Sequence, residues 1–283
     1  MKHLFAISFL LFSAFTYAQY KVKKIDDLPK RMYETSGLLW YNDKYVITHN
    51  DGGNKSEFFL LNEEGKLVKT VNVKDTKNKD WEDIAKDDEG NIFIGDVGNN
   101  LNKRKDLCVY KIKKGFTKKD DVKPEKISFY YPDQKSFPPK KENMNFDCEA
   151  MIWKDGFLYF FTKCRAKPFT GVSKIYRIPD EPGNYEAALV GQIDLCKLGW
   201  RSCSITAADY NPEQNILLLL TYTKLYVISD FEGVQFWNGK KKTVDLALIK
   251  QREAICVKDD HTFYMTDEHH SKLGGGNLYE IQF

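Results

Sequence analysis

After Phe15 no run of apolar residues approaches the roughly twenty needed to cross a bilayer, so a membrane-spanning chain is excluded. Neither sign of charge dominates, with 43 Lys and Arg against 40 Asp and Glu. The short basic runs Lys103-Arg104-Lys105, Lys118-Lys119 and Lys240-Lys241-Lys242 read as solvated loops, and nucleic acid is not expected as a partner. The six cysteines include no C-x-x-C pair, which removes zinc knuckles and thioredoxin-like sites. Gly-x-Ser-x-Gly, His-Glu-x-x-His and the phosphate-binding P-loop are missing too, and with them the serine-hydrolase, zincin and P-loop chemistries. Helical periodicity of useful length is also lacking.

What is present begins with an export signal. Met1-Lys2-His3 is basic, Leu4 to Phe15 is apolar or small, and Thr16-Tyr17-Ala18 places small residues at −3 and −1 of a cleavage point after Ala18. The expected organisation is a signal peptide at 1–18 and a single domain at 19–283, secreted or periplasmic and monomeric. Gln19, rather than Cys, follows the cleavage point, so no lipid anchor is expected. All six cysteines fall in the exported part, where oxidation is allowed, and Cys196 and Cys203, the closest pair, are expected to form a bridge.

Internal repetition organises the rest. Five units each offer a strand, a tight polar turn, a second strand, a loop and a third strand. Their heads are Glu34-Thr-Ser36-Gly-Leu, Trp81-Glu82-Asp-Ile-Ala, Cys148-Glu149-Ala-Met-Ile, Ile205-Thr206-Ala-Ala-Asp and Arg252-Glu253-Ala-Ile-Cys. Four third strands share a signature, Cys-Val-Tyr-Lys-Ile, Lys-Ile-Tyr-Arg-Ile, Lys-Leu-Tyr-Val-Ile and Asn-Leu-Tyr-Glu-Ile, whose alternation suits a half-buried antiparallel sheet. Residues 67–73, 126–131 and 187–193 are candidates for outer strands. The fold class is therefore all-β, a five-bladed β-propeller. The last unit ends on a third strand, so residues 20–25 are expected to supply its outer strand and close the ring. A sandwich or barrel would also accept short, evenly spaced strands, but gives no reason for one residue type to head each unit.

In a propeller the first strand of each blade lines the central channel. Ser36, Glu82, Glu149, Thr206 and Glu253 would then converge, with Glu34 competing for the place of Ser36 and Ser204 for that of Thr206. Three converging carboxylates repel one another and lose hydration, so a cation belongs among them. Carboxylate and hydroxyl oxygens without His or Cys suit calcium better than zinc or copper, and a wide five-fold channel fits the small octahedral shell of magnesium poorly.

These features resemble the calcium-activated nucleotidases, or soluble apyrases, in Glu34-Thr-Ser36-Gly-Leu, the Glu82 and Glu149 heads, Thr206-Ala-Ala-Asp-Tyr-Asn-Pro212 and Arg252-Glu253-Ala-Ile. The ligand order of hydroxyl, Glu, Glu, hydroxyl, Glu is similar. The resemblance implies a secreted five-bladed propeller with one Ca2+ in the channel. It also implies an acidic pair at the end of the second strand of the first blade, where this chain has Asn50-Asp51. Exported propellers of the phytase and esterase type are similar more loosely.

The ends of the second strands lie on the same face as the channel heads, and the loops there are polar. If the protein is an enzyme, Asp51 or Asp96 would orient or deprotonate water. Asn50, Lys55, Asn99, Asn100, Arg104, Lys163 and Arg165 would hold an anionic substrate, with Gly52, Gly53 and Gly98 letting backbone N–H groups approach it. His269-His270 reads as an ordinary exposed pair. Two functions fit: a calcium-dependent hydrolase of phosphoanhydrides or esters, and a non-catalytic binding or surface-assembly propeller with a structural calcium. The second would recognise glycan or protein through exposed aromatics such as Tyr130, Tyr131, Phe137 and Trp237.

Overall fold

The computed structural model describes residues 20–246 and 250–283; the expected signal peptide lies outside them. Five sheets follow one another along the chain, and each is a blade. The innermost strands are Thr35–Tyr41, Trp81–Lys86, Asp147–Lys154, Ala207–Asn211 and Arg252–Val257, in blades 1 to 5. Each pairs antiparallel with the strand after it through a tight turn. At Asn42-Asp43, Asp155-Gly156 and Asn215 the turns hold positive φ, which Asn, Asp and Gly tolerate best. The five-bladed propeller expected from the repeats is the fold.

The closure is also as expected. Lys21–Asp27 runs antiparallel to Asn277–Gln282 and forms the outer strand of blade 5, so the first and last described strands of the chain share one sheet. Outer strands occur at Leu67–Val73, Glu125–Tyr130, Ala188–Asp194 and, unforeseen, Lys240–Asp245. Two short parallel strands were also unforeseen. Asp121–Val122 of blade 2 adds to the outer edge of blade 1, and Gly183–Glu186 of blade 3 adds to that of blade 2. Blades 2 and 3 thereby each cover the outer edge of the blade before them.

The half-buried alternation expected for the third strands holds in Val172–Pro179 and Lys224–Ser229, whereas Cys108–Ile112 is buried throughout. Five hydrophobic clusters fill the five gaps between neighbouring blades, and the second strands are buried on both faces. In Ile216–Leu220, Leu217 and Leu219 point to blade 3 while Ile216, Leu218 and Leu220 point to blade 5. An unbroken apolar run is what such a strand requires. Two aromatics expected at the surface are likewise inside. Tyr131 is buried against Phe129, Phe146 and Tyr176, and half-buried Trp237 lies against Gly191.

Candidate metal centre

The heads of the inner strands do not run straight. One residue bulges out of the pairing in four blades: Gly37, Glu82, Glu149 and Glu253. In blade 4 Thr206 takes the same place, its N–H bonded to the carbonyl of Leu220, whose partner in the ladder is Ala207. A bulge re-aims a side chain that strict alternation would send between the blades, and here it turns the side chain towards the axis. In blade 1 the bulged residue is therefore Gly37, one position after Ser36. Its φ of +72° suits glycine, and a Cβ there would collide with His49 Nε2.

Ser36 and Thr206 have a different task. The Ser36 hydroxyl donates to the carbonyl of Glu82 at 2.6 Å, and that of Thr206 to the carbonyl of Arg252 at 2.7 Å. Each ties its blade to the next. Glu34 is exposed and accepts from Asn54.

Below the ring, Asp83 closes the channel. Its carboxylate accepts from the N–H groups of Ile84 at 2.9 Å, Met151 at 2.8 Å and Ala208 at 3.3 Å. These belong to blades 2, 3 and 4, and blades 2 and 4 are not neighbours in a ring of five. The side chain therefore crosses the axis and satisfies backbone donors that the inner edges of blades 3 and 4 leave unpaired. Burial pushes its carboxyl well above the usual range.

Above Asp83 lies a cup of carboxylates. Oxygens of Asp51, Asp80 and Glu82 come within 4.8 Å of one another. Asp80 is wedged between Gly52 and Gly98, and a Cβ on either glycine would collide with its carboxylate; at Gly98 it would also strike Glu82 Oε1. Burial, reinforced by the neighbouring Asp80, pushes Asp51 up to about 6, and burial with Asp147 does the same to Asp80. Glu82 is raised further by burial and by the charges of Glu149 and Asp51. Two more acids complete the rim, Glu253 pushed up to about 7 and Glu268 to about 10, both mainly by burial.

Glu149 is engaged by two cations. Lys163 Nζ lies 2.9 Å from its Oε2, and Arg165 Nη2 lies 2.9 Å from its Oε1. Burial works to discharge Lys163, but Glu149 and Glu253 outweigh it and hold the ammonium charged. Arg165 also pairs with buried Asp147 at 2.5 Å. Over this pair stands Trp200, on the loop closed by the Cys196–Cys203 disulfide. Its ring is 5.7 Å from Lys163 Nζ and 5.3 Å, edge to face, from Tyr222, whose hydroxyl is 3.2 Å from the same nitrogen.

The donor set fits a hard divalent cation. Oxygens that touch one calcium at about 2.4 Å can lie at most about 4.8 Å apart, and those of Asp51, Asp80 and Glu82 all lie within 4.8 Å of one another. Three like charges at that spacing, each with a raised pKa, are poorly compensated by cations already paired to Glu149 and Asp147.

The remaining sequence-predicted residues divide clearly. Asn50 is buried and donates to the carbonyl of Arg31. Asp96, offered as an alternative water-activating group, is buried in an ion pair with Arg104 at 2.8 Å and accepts from the Asp80 N–H. Asp96 therefore braces the Asp80 loop, while Asn50 ties its strand to the turn at Arg31. Asn99 is buried as a loop staple, accepting from the Lys103 and Arg104 N–H groups and donating to the carbonyl of Phe146. Asn100 contacts Arg165, and Lys55 is exposed. His269 stacks on Tyr33 at 4.5 Å. Sequence reading missed Asp80, Asp147, Tyr222 and Trp200. A signal existed for the first two, because Asp80-x-Glu82 and Asp147-x-Glu149 repeat one spacing, and Gln251-x-Glu253 extends it.

A five-bladed propeller with an acidic cup at one mouth of its channel is the class that fold and site define. No protein-family model and no curated protein matches the chain. Solved structures do. The major allergen Mala s 1 of Malassezia sympodialis superposes with a TM-score of 0.59 at 10% identity, over 92% of this chain and 96% of that one. The PQQ-bound aldose sugar dehydrogenase of Streptomyces coelicolor gives 0.55 at 10% identity, over 94% and 98%. At such identity the likeness is one of fold.

Proposed function

We propose that the chain is an exported propeller that binds calcium in the cup and, with it, hydrolyses an anionic phosphoanhydride or ester. The observation that carries this reading is the convergence of Asp51, Asp80 and Glu82 around a space that Gly52 and Gly98 keep open. The resemblance to calcium-activated nucleotidases supports it. A bound calcium would supply the positive charge that lets an anionic group approach so acidic a mouth. Asp51, at the edge of the cup and pushed up to about 6, would orient or deprotonate water at neutral pH. Lys163 and Arg165, fixed by Glu149 and Asp147, would steer the substrate's oxygens. The Asp96–Arg104 pair, in which Asp96 accepts from the Asp80 N–H, keeps the Asp80 loop in position.

A second reading rests on those same ion pairs. Because Lys163 and Arg165 already face carboxylates, calcium could serve the ring alone in a propeller without turnover. Incubation of the purified protein with nucleotides and aryl esters, in calcium and in excess chelator, separates the two. The hydrolase reading expects turnover that needs calcium and is lost in Asp51→Ala. Chelator-sensitive melting with no turnover on any of these substrates overturns it in favour of the second.

A further inference from the structure

The channel has a second mouth that the cup does not use. Asp83, bonded across from blade 2 to blades 3 and 4, separates the two ends. At the far end, where the inner strands turn into their second strands, lies a cavity of about 670 Å3. That volume falls within the range of about 300–1,000 Å3 typical of small-molecule pockets.

Its lining is unlike the cup. Trp153 and Tyr210 give aromatic walls, and Lys86, Lys154 and Asp209 bring both signs of charge among them. Asp209 is held rigidly, accepting from the N–H groups of Tyr210 and Val257, both at 2.8 Å. Trp153 is fixed by its indole N–H, which donates to Asp180 at 2.6 Å, and its ring is half-buried against the core between blades 2 and 3 while still lining the cavity. Lys86 is exposed and donates to the carbonyl of Trp40 at 3.0 Å. Acids of the rim are largely spent on their own turns: Asp87 accepts from Asn91, Asp155 pairs with Lys154, and Asp259 accepts from the His261 N–H.

We propose that this cavity is a second ligand site and takes a neutral, polyhydroxylated ring of the size of a mono- or disaccharide. A compact anion would meet Asp209 and the acidic rim, and a compact cation would meet Lys86, Lys154 being already paired with Asp155. Hydroxyl groups suit both, donating to Asp209 and accepting from Lys86, while the apolar face of a sugar ring lies on Trp153. The site is independent of the cup and of any turnover there.

The test is titration of the full mature chain with glucose, galactose, mannose, N-acetylglucosamine, maltose and cellobiose, read by tryptophan fluorescence and by calorimetry. At least one sugar should bind saturably. Trp153→Ala and Lys86→Ala should each weaken it about tenfold, the factor that corresponds to about 1.4 kcal/mol. Glu82→Gln, in the cup, should leave sugar binding unchanged. Lys86 is exposed, so its variant keeps the test sound should Trp153→Ala fail to fold. Absence of binding by all six sugars, binding that survives both cavity variants, or binding lost in Glu82→Gln would each overturn the proposal.

Discussion

Asp80 and Gly98 carry the sharpest expectations at the scale of single residues. Asp80→Asn removes one of three converging charges, so the rise in melting temperature on adding calcium to chelated protein should fall to a small fraction of the wild-type rise. Gly98→Ala should do the same for a steric reason, because its methyl group would occupy space held by the Glu82 and Asp80 carboxylates. Scanning fluorimetry across a calcium titration reads both. Asp83→Ala is a different case, leaving the Met151 and Ala208 N–H groups buried without their acceptor. A loss of about 3 kcal/mol in urea denaturation is expected. Much of the cup was legible beforehand, since Glu82, Glu149 and Glu253 head strands that enter a core. What escaped reading was the bulge: a one-residue excursion moves the blade 1 position from Ser36 to Gly37 and leaves the Ser36 hydroxyl to tie blade 1 to blade 2. Periodicity counts residues along a strand and does not register an extra one.

Among the elements, Lys21–Asp27 holds the ring shut. Removal of the chain through Asp27 should uncover the edge of Asn277–Gln282 and give a protein that self-associates, detectable by light scattering, with a lowered melting temperature. Reduction of Cys196–Cys203 should free the loop carrying Trp200 and leave the blades intact. The expected outcome is a change in near-ultraviolet circular dichroism with little change in the far-ultraviolet. The second strands could be read from sequence because both faces of each enter an apolar gap, which demands unbroken runs, and the third strands from their shared alternation. Lys240–Asp245 could not, since Lys-Lys-Lys-Thr-Val-Asp buries one residue and owes its pairing to Lys224–Ser229. Asp121–Val122 and Gly183–Glu186 are strands only because a neighbouring blade offers an edge.

For the whole molecule, the cup sets a dependence on pH. Asp51 and Asp80 near 6, Glu253 near 7 and Glu268 near 10 all stand above the ordinary carboxyl range of about 4. The folded chain therefore keeps protons that the unfolded chain releases. Their contribution is fully present below about pH 4 and is lost as pH rises through 6 and 7, with Glu268 following later. Chelated protein should thus melt at a lower temperature at pH 8 than at pH 5 as far as these groups decide it. If calcium occupies the cup as proposed, it would bind the ionised carboxylates and should give a larger rise in melting temperature at pH 8. Equal calcium-induced rises at the two pH values would contradict this.

The strand pairing that closes the ring also decides how the molecule meets mechanical load. Lys21 faces Gln282 while Asp27 faces Asn277, so both chain ends leave from the same end of one antiparallel pair. Tension applied between them falls on the bonds one after another, as in opening a zip, and not on all of them in parallel shear. A molecule tethered by its two ends should yield this pair first and at low force. The same chain held through loops in blades 2 and 4, where Asp83 bridges the axis, should resist more strongly.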